Sequence, residues 1–113
     1  VLEYSGLSTT GGTGAVDQTA TATGTTTTAQ AVSSGSTAAT TASNELAVGV
    51  YADSGFGDSL SAGAGYAPRT SVSPAGDIEL FVEDSVVGQG SKPAASVSTG
   101  GATIWEMVTV VFR

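Results

Sequence analysis

Arg69, Glu79, Phe81 and Glu83 place a guanidinium, an aromatic ring and two carboxylates within one short stretch of a 113-residue chain. Such a set suits an uncharged sugar. The axial C–H patches of a pyranose ring stack on an aromatic plane, while its equatorial hydroxyls bond to carboxylate and guanidinium groups. Two further stacking candidates are Tyr51, set beside the small Ala47 and Gly49, and Trp105, the single tryptophan. Glycoside hydrolysis fits the same carboxylates poorly. Glu79 and Glu83 lie four residues apart on one strand, roughly 13 Å at about 3.3 Å per residue. A hydrolytic pair needs roughly 5–9.5 Å. Recognition without catalysis is the reading these residues favour.

A hairpin must position them. Gly65–Val87 (GYAPRTSVSPAGDIELFVEDSVV) reads as two strands around a Ser-Pro-Ala-Gly-Asp turn, in which Pro74 presets φ and Gly76 supplies a positive one. Alternation along the second strand sends Ile78, Leu80 and Val82 to one face and Glu79, Phe81 and Glu83 to the other. With the aliphatic residues inward, Phe81 stands on a solvent face between two glutamates. A register pairing Val72 with Ile78 sets Thr70 opposite Leu80 and Arg69 opposite Phe81, and so brings Arg69 to that face. By the same logic Leu46, Val48 and Val50 of Asn44–Asp53 (NELAVGVYAD) are expected in the core, with Tyr51 outside.

The remaining elements follow from turn spacing. Val1–Ser5, Val16–Thr23, Ser36–Ala42, Ala94–Ser98 and Thr103–Phe112 read as strands, Gly24–Gly35 as a loop or edge, and Ser54–Ser59 as a loop that holds Phe56 between glycines. No segment carries a 3.6-residue period. Short strands punctuated by Gly and Pro predict an all-β fold, an antiparallel β-sandwich of jelly-roll type spanning residues 1–113, with a closed barrel as the alternative. Tyr4, Tyr66 and Phe112 are expected in the core. Trp105 is left open: with Trp105 and Met107 inside, Ile104, Val108, Val110 and Phe112 need another cover.

Composition excludes several functions. The net charge is −7 with only three cations, Arg69, Lys92 and Arg113. That is too few to neutralise phosphates or an anionic membrane surface, so neither nucleic acid nor membrane is an expected partner. Without cysteine or histidine there is no disulfide framework, thiol nucleophile or histidine-based triad. No cofactor is required by these residues. Asp53-Ser-Gly-Phe-Gly-Asp58 is an oxygen-rich loop of the kind a structural calcium uses, but two carboxylates alone do not define a site, and a capped turn explains them as well. Strand-like sequence at both ends is what a module excised from a larger secreted protein would show.

Taken in order, VLEYSG, NELAVGVY, GYAPR, EDSVVG and TIWEMVTVVF resemble a small β-sandwich carbohydrate-binding module of secreted bacterial, soil-type glycoside hydrolases. The resemblance implies an extracellular, non-catalytic domain that holds an appended catalytic domain on β-glucan polysaccharide such as cellulose, xyloglucan or mixed-linkage glucan. The single tryptophan departs from cellulose binders that carry rows of aromatics. A structural or adhesive spacer of a bacterial surface protein is the alternative.

Overall fold

Eight strands form in the computed structural model, which describes residues 1–113: β1 (Val16–Thr26), β2 (Ala31–Ser33), β3 (Glu45–Asp53), β4 (Ser61–Ala62), β5 (Ala67–Val72), β6 (Glu79–Val87), β7 (Ser96–Ser98) and β8 (Thr103–Phe112). All ladders are antiparallel. The strands make a large sheet in the order β1-β8-β3-β6-β5 and a small one in the order β2-β7-β4. The orders 1-8-3-6 and 2-7-4 are those of a jelly roll, with β5 joined to the edge of the larger sheet. The chain is therefore an all-β sandwich. Gly76, at φ 87°, makes the turn before β6, a conformation that carries no steric penalty only for glycine. Two expected strands are not formed: Val1–Ser5 and Ser36–Ala42 run as irregular chain.

The inner face of the large sheet is built in cross-strand rows. Gly24, Trp105, Asp53 and Glu79 form one end row; Ala22, Met107, Tyr51 and Phe81 the next; then Ala20, Thr109, Gly49 and Glu83. Tyr51, Phe81 and Met107 meet Val32, Ala95 and Val97 of the small-sheet side to make the apolar core. Phe81 is 2% exposed and Tyr51 fully buried, and burial of a ring of this size contributes roughly 1.5–3 kcal/mol.

This inverts the strand parity expected from the sequence. Of the residues assigned to the core, Leu46 and Val82 are buried, Val48 is half-buried, and Val50, Leu80 and Ile78 are 38%, 38% and 65% exposed. Period-two alternation separates two faces without saying which is inside. Here the small sheet decides. Its strands are two or three residues long, and its backbone N–H groups find acceptors in side chains of the large sheet, so the polar and aromatic face turns inward. The β5–β6 register also differs: Val72 pairs with Leu80 and Thr70 with Val82, and an irregularity between Pro68 and Thr70 displaces Arg69. Leu80→Ala is accordingly expected to cost under about 1 kcal/mol in urea denaturation. A loss of 2–5 kcal/mol, the range for a core leucine, would restore the opposite parity.

Candidate functional site

The proposed sugar-stacking face does not exist as a solvent surface. Tyr51, Phe81, Glu79 and Glu83 are all interior, so the rings cannot stack on a ligand without opening the sandwich. Glu83 is fully buried, its Oε2 accepting the Gly63 N–H at 2.8 Å and its Oε1 the Ser96 N–H at 2.9 Å. Burial pushes its carboxyl above the ordinary glutamate value, against the pull of those two N–H groups. It ties β6 to the small sheet. Tyr66, packed beside the core, carries a hydroxyl pushed up to about 12 by burial and by the Glu83 charge.

Arg69 lies on the opposite face from these glutamates. Its Nε and Nη2 donate to Asp84 Oδ2 and Oδ1 at 2.7 and 2.8 Å, and the Tyr4 hydroxyl donates to the same Oδ2 at 2.7 Å. The Arg69 hydrogen bonds hold the Asp84 carboxyl below its usual range despite burial. Asp84 is thus a buried acceptor on the outward face. Through this bond and that of the Ser8 N–H to the Arg113 carbonyl, the N-terminal segment crosses the outside of the large sheet and covers part of it.

The outward face is aliphatic. Across the ladders, Val108, Val50 and Val82 form one row and Glu106, Ala52, Leu80 and Val72 the next, with Thr21 and Thr23 of β1 at their edge. Beyond them Ile104 and Ile78 are 67% and 65% exposed, and Val86 at the other end is 69% exposed. A groove of about 370 Å³ opens at the Asp53 end of this face, lined by Thr23, Ala52, Asp53, Ser54, Ile78, Ile104, Trp105 and Glu106. The small Ala52 gives it depth between the two isoleucines.

Trp105 is the one expected site residue that borders this groove. Its ring lies on Gly24: a methyl group added there would stand 2.8 Å from Cζ2 and 2.9 Å from Cε2. It is half-buried against the core, with Met107 inside, which leaves Ile104, Val108, Val110 and Phe112 pointing outward. Sequence reasoning missed Ile78 because it was assigned to the interior, left Ile104 undecided together with Trp105, and gave Ala52 no role. The available signal was β8 itself, whose two faces are both largely apolar.

Beside the groove, Asp53 ends β3 and pairs in register with Glu79 of β6. Asp53 Oδ2 accepts the Tyr51 hydroxyl at 2.5 Å and Oδ1 accepts the Gly55 N–H at 3.0 Å. Glu79 Oε2 accepts the Asp58 N–H at 3.0 Å and the Ser73 hydroxyl. Burial first, then the bond to Asp53 and the charges of Asp53, Glu79 and Asp58, push the Tyr51 hydroxyl far above its ordinary value. At the far end of the sandwich, Asp17 binds Arg113 Nη2 at 2.6 Å and accepts from the Thr41 N–H and hydroxyl, beside the buried Glu45.

No protein-family model matches the chain, and no curated protein or solved structure matches it.

Proposed function

We propose that this chain is a non-catalytic interaction module that docks, through the outward aliphatic face of its large sheet, on a polypeptide segment with an apolar centre and a basic rim. The observation that carries this reading is the continuous outward run of Val50, Leu80, Val72, Ile78 and Ile104. Contiguous exposed apolar surface of this kind marks interaction sites. The same face already holds a strip of irregular chain, residues 4–8, fixed by Tyr4 on Asp84 and by the Ser8 N–H on the Arg113 carbonyl. Charge selects the partner: the chain carries −7, and Arg69 and Arg113 are both engaged with aspartates. A lysine- or arginine-rimmed segment is favoured, by steering more than by net affinity.

β-Glucan binding is the second reading, favoured by the groove that sets Trp105 beside Glu106, Ser54 and Thr23. It moves from the hairpin face to the groove, and of the hairpin residues none lines it except Ile78. One NMR titration separates the two readings, using an alternating Val-Lys peptide, an alternating Val-Glu peptide and a cello-oligosaccharide. The docking reading expects the Val-Lys peptide alone to shift outward residues of β6 and β8, less at high salt, and Ile104→Glu to remove the effect. Shifts confined to the groove and caused by the oligosaccharide alone would replace docking with glycan recognition. No response to any probe overturns both.

A further inference from the structure

Three carboxylates meet where β3, β6 and the Ser54–Ser59 loop come together. Gly55 marks the point. A methyl group built on it would stand 2.6 Å from Glu79 Oε1, 3.2 Å from Asp53 Oδ1 and 3.3 Å from Asp58 Oδ2. The absence of a side chain at residue 55 therefore leaves a small space bounded by one oxygen from each acid. An acidic turn alone would mean little. Glu79 supplies the independent observation: its side chain is fully buried, and Oε1, the oxygen nearest that space, has no hydrogen-bond partner.

A buried carboxylate oxygen is normally met by a donor or a cation, because desolvating it uncompensated is costly. This chain has no cation to offer. Arg69 is paired with Asp84 and Arg113 with Asp17, and Lys92 lies exposed between β6 and β7. The available protein donors, the Asp58 N–H and the Ser73 hydroxyl, are both spent on the other oxygen, Oε2. What the space lacks is positive charge.

We propose that Asp53, Asp58 and Glu79 form a calcium-binding site, with Gly55 letting the three carboxylates converge. Calcium takes six to eight oxygen ligands at about 2.3–2.6 Å in flexible geometry, whereas magnesium demands a tight octahedron at about 2.0–2.1 Å and keeps its waters. The three acids do not close a cage as they stand. Asp53 and Asp58 must shift toward Glu79 Oε1 to reach coordination distance. Asp58 sits in a connecting loop whose adjacent residues 56 and 57 are exposed, so that movement is local. Loop carbonyls and water complete the shell. The bound ion pins the loop carrying Phe56 and the groove edge formed by Asp53 and Ser54. The site stands independently of the docking reading above.

The test uses the whole chain, freed of metal by chelator and dialysis, and titrated with calcium chloride by calorimetry and thermal unfolding. One calcium per chain is expected, with a melting temperature raised by at least about 5 °C at saturating calcium. Magnesium chloride at equal ionic strength is expected to do much less, which separates coordination from screening of the −7 charge. Asp58→Asn and Glu79→Gln are each expected to weaken calcium binding at least tenfold. In calcium-free buffer Glu79→Gln is expected to melt at or above the parent, since it removes an uncompensated buried charge; this distinguishes ligand loss from a damaged fold. Calcium acting no better than magnesium, or full calcium affinity in Glu79→Gln, overturns the site.

Discussion

Replacing Glu83 by alanine is expected to cost about 3–5 kcal/mol, one of the two largest losses available to a single substitution in this fold. Each carboxylate oxygen takes one backbone N–H from the opposite side of the sandwich, Gly63 just after β4 and Ser96 at the start of β7. A buried donor left without its acceptor costs about 1–3 kcal/mol, and the vacated volume adds to that. Relief from burying a charge offsets part of the sum. The small sheet has few other ties: β7 pairs with three residues of β2 and two of β4. Loss of Glu83 therefore loosens the whole layer. Glu83→Gln keeps one acceptor and is expected to lose about half as much, while Glu106→Ala, an exposed carboxylate of β8, stays within about 0.5 kcal/mol. Because burial raises the folded Glu83 pKa above its ordinary value of 4.5, its ionisation weakens the fold. That contribution is absent at and below about pH 4.5 and complete once pH has risen past the raised value, so the parent loses stability across that window and Glu83→Gln loses less. Urea denaturation across pH checks each step, and a Glu83→Ala loss below 1 kcal/mol would remove the carboxylate as the link between the sheets.

The elements that position these groups were largely legible, and their sidedness was not. Thr103–Phe112 matches β8 end to end, Asn44–Asp53 is placed within a residue, and the Pro74–Gly76 hairpin forms but pairs two residues away from the expected register. These segments declare themselves through β-branched content and local turn chemistry. The error came from treating charge as a marker of solvent. Glu79, Phe81 and Glu83 alternate with Ile78, Leu80 and Val82, and on hydrophobicity alone the aliphatic set belongs inside. What turns Glu83 inward is a supply of backbone donors 13 and 20 residues away, at Ser96 and Gly63. No local pattern announces such a supply. The Tyr4–Asp84 bond, across 80 residues, hid the N-terminal segment in the same way, so that Val1–Ser5 read as a strand. Asp53 and Asp58 were visible as an oxygen-rich loop, but their third acid, Glu79, was on the face assigned to sugar. Only the ladder pairing Asp53 with Glu79 brings it to them.

Gly49→Ala is expected to destabilise the chain by about 3 kcal/mol, for reasons of space alone. Gly49 has no positive φ, so backbone strain plays no part. It sits mid-strand in β3, between Glu83 of β6 and Thr109 of β8, on the inner face. A Cβ there would lie 2.5 Å from the Ala95 Cβ and 3.0 Å from Glu83 Cγ. Neither neighbour is the free end of a flexible side chain. Ala95 is anchored by its own N–H on Thr109 Oγ1 at 3.0 Å, and Glu83 is held at both oxygens. Relief must come from moving one sheet off the other, and an overfilled core of this kind costs about 1–3 kcal/mol or more. It also strains both Glu83 bonds, which places the effect at the upper end. The contact predicts its own remedy. Ala95→Gly removes the closest obstructing atom; on its own it should cost about 1 kcal/mol through lost burial and added chain freedom. In the double variant the two changes are expected to compensate, with a coupling of at least about 1 kcal/mol measured by a double-mutant cycle in urea. Strict additivity would show that the two sheets do not meet at Gly49 and Ala95, and the inward orientation of Glu83 would fall with that contact.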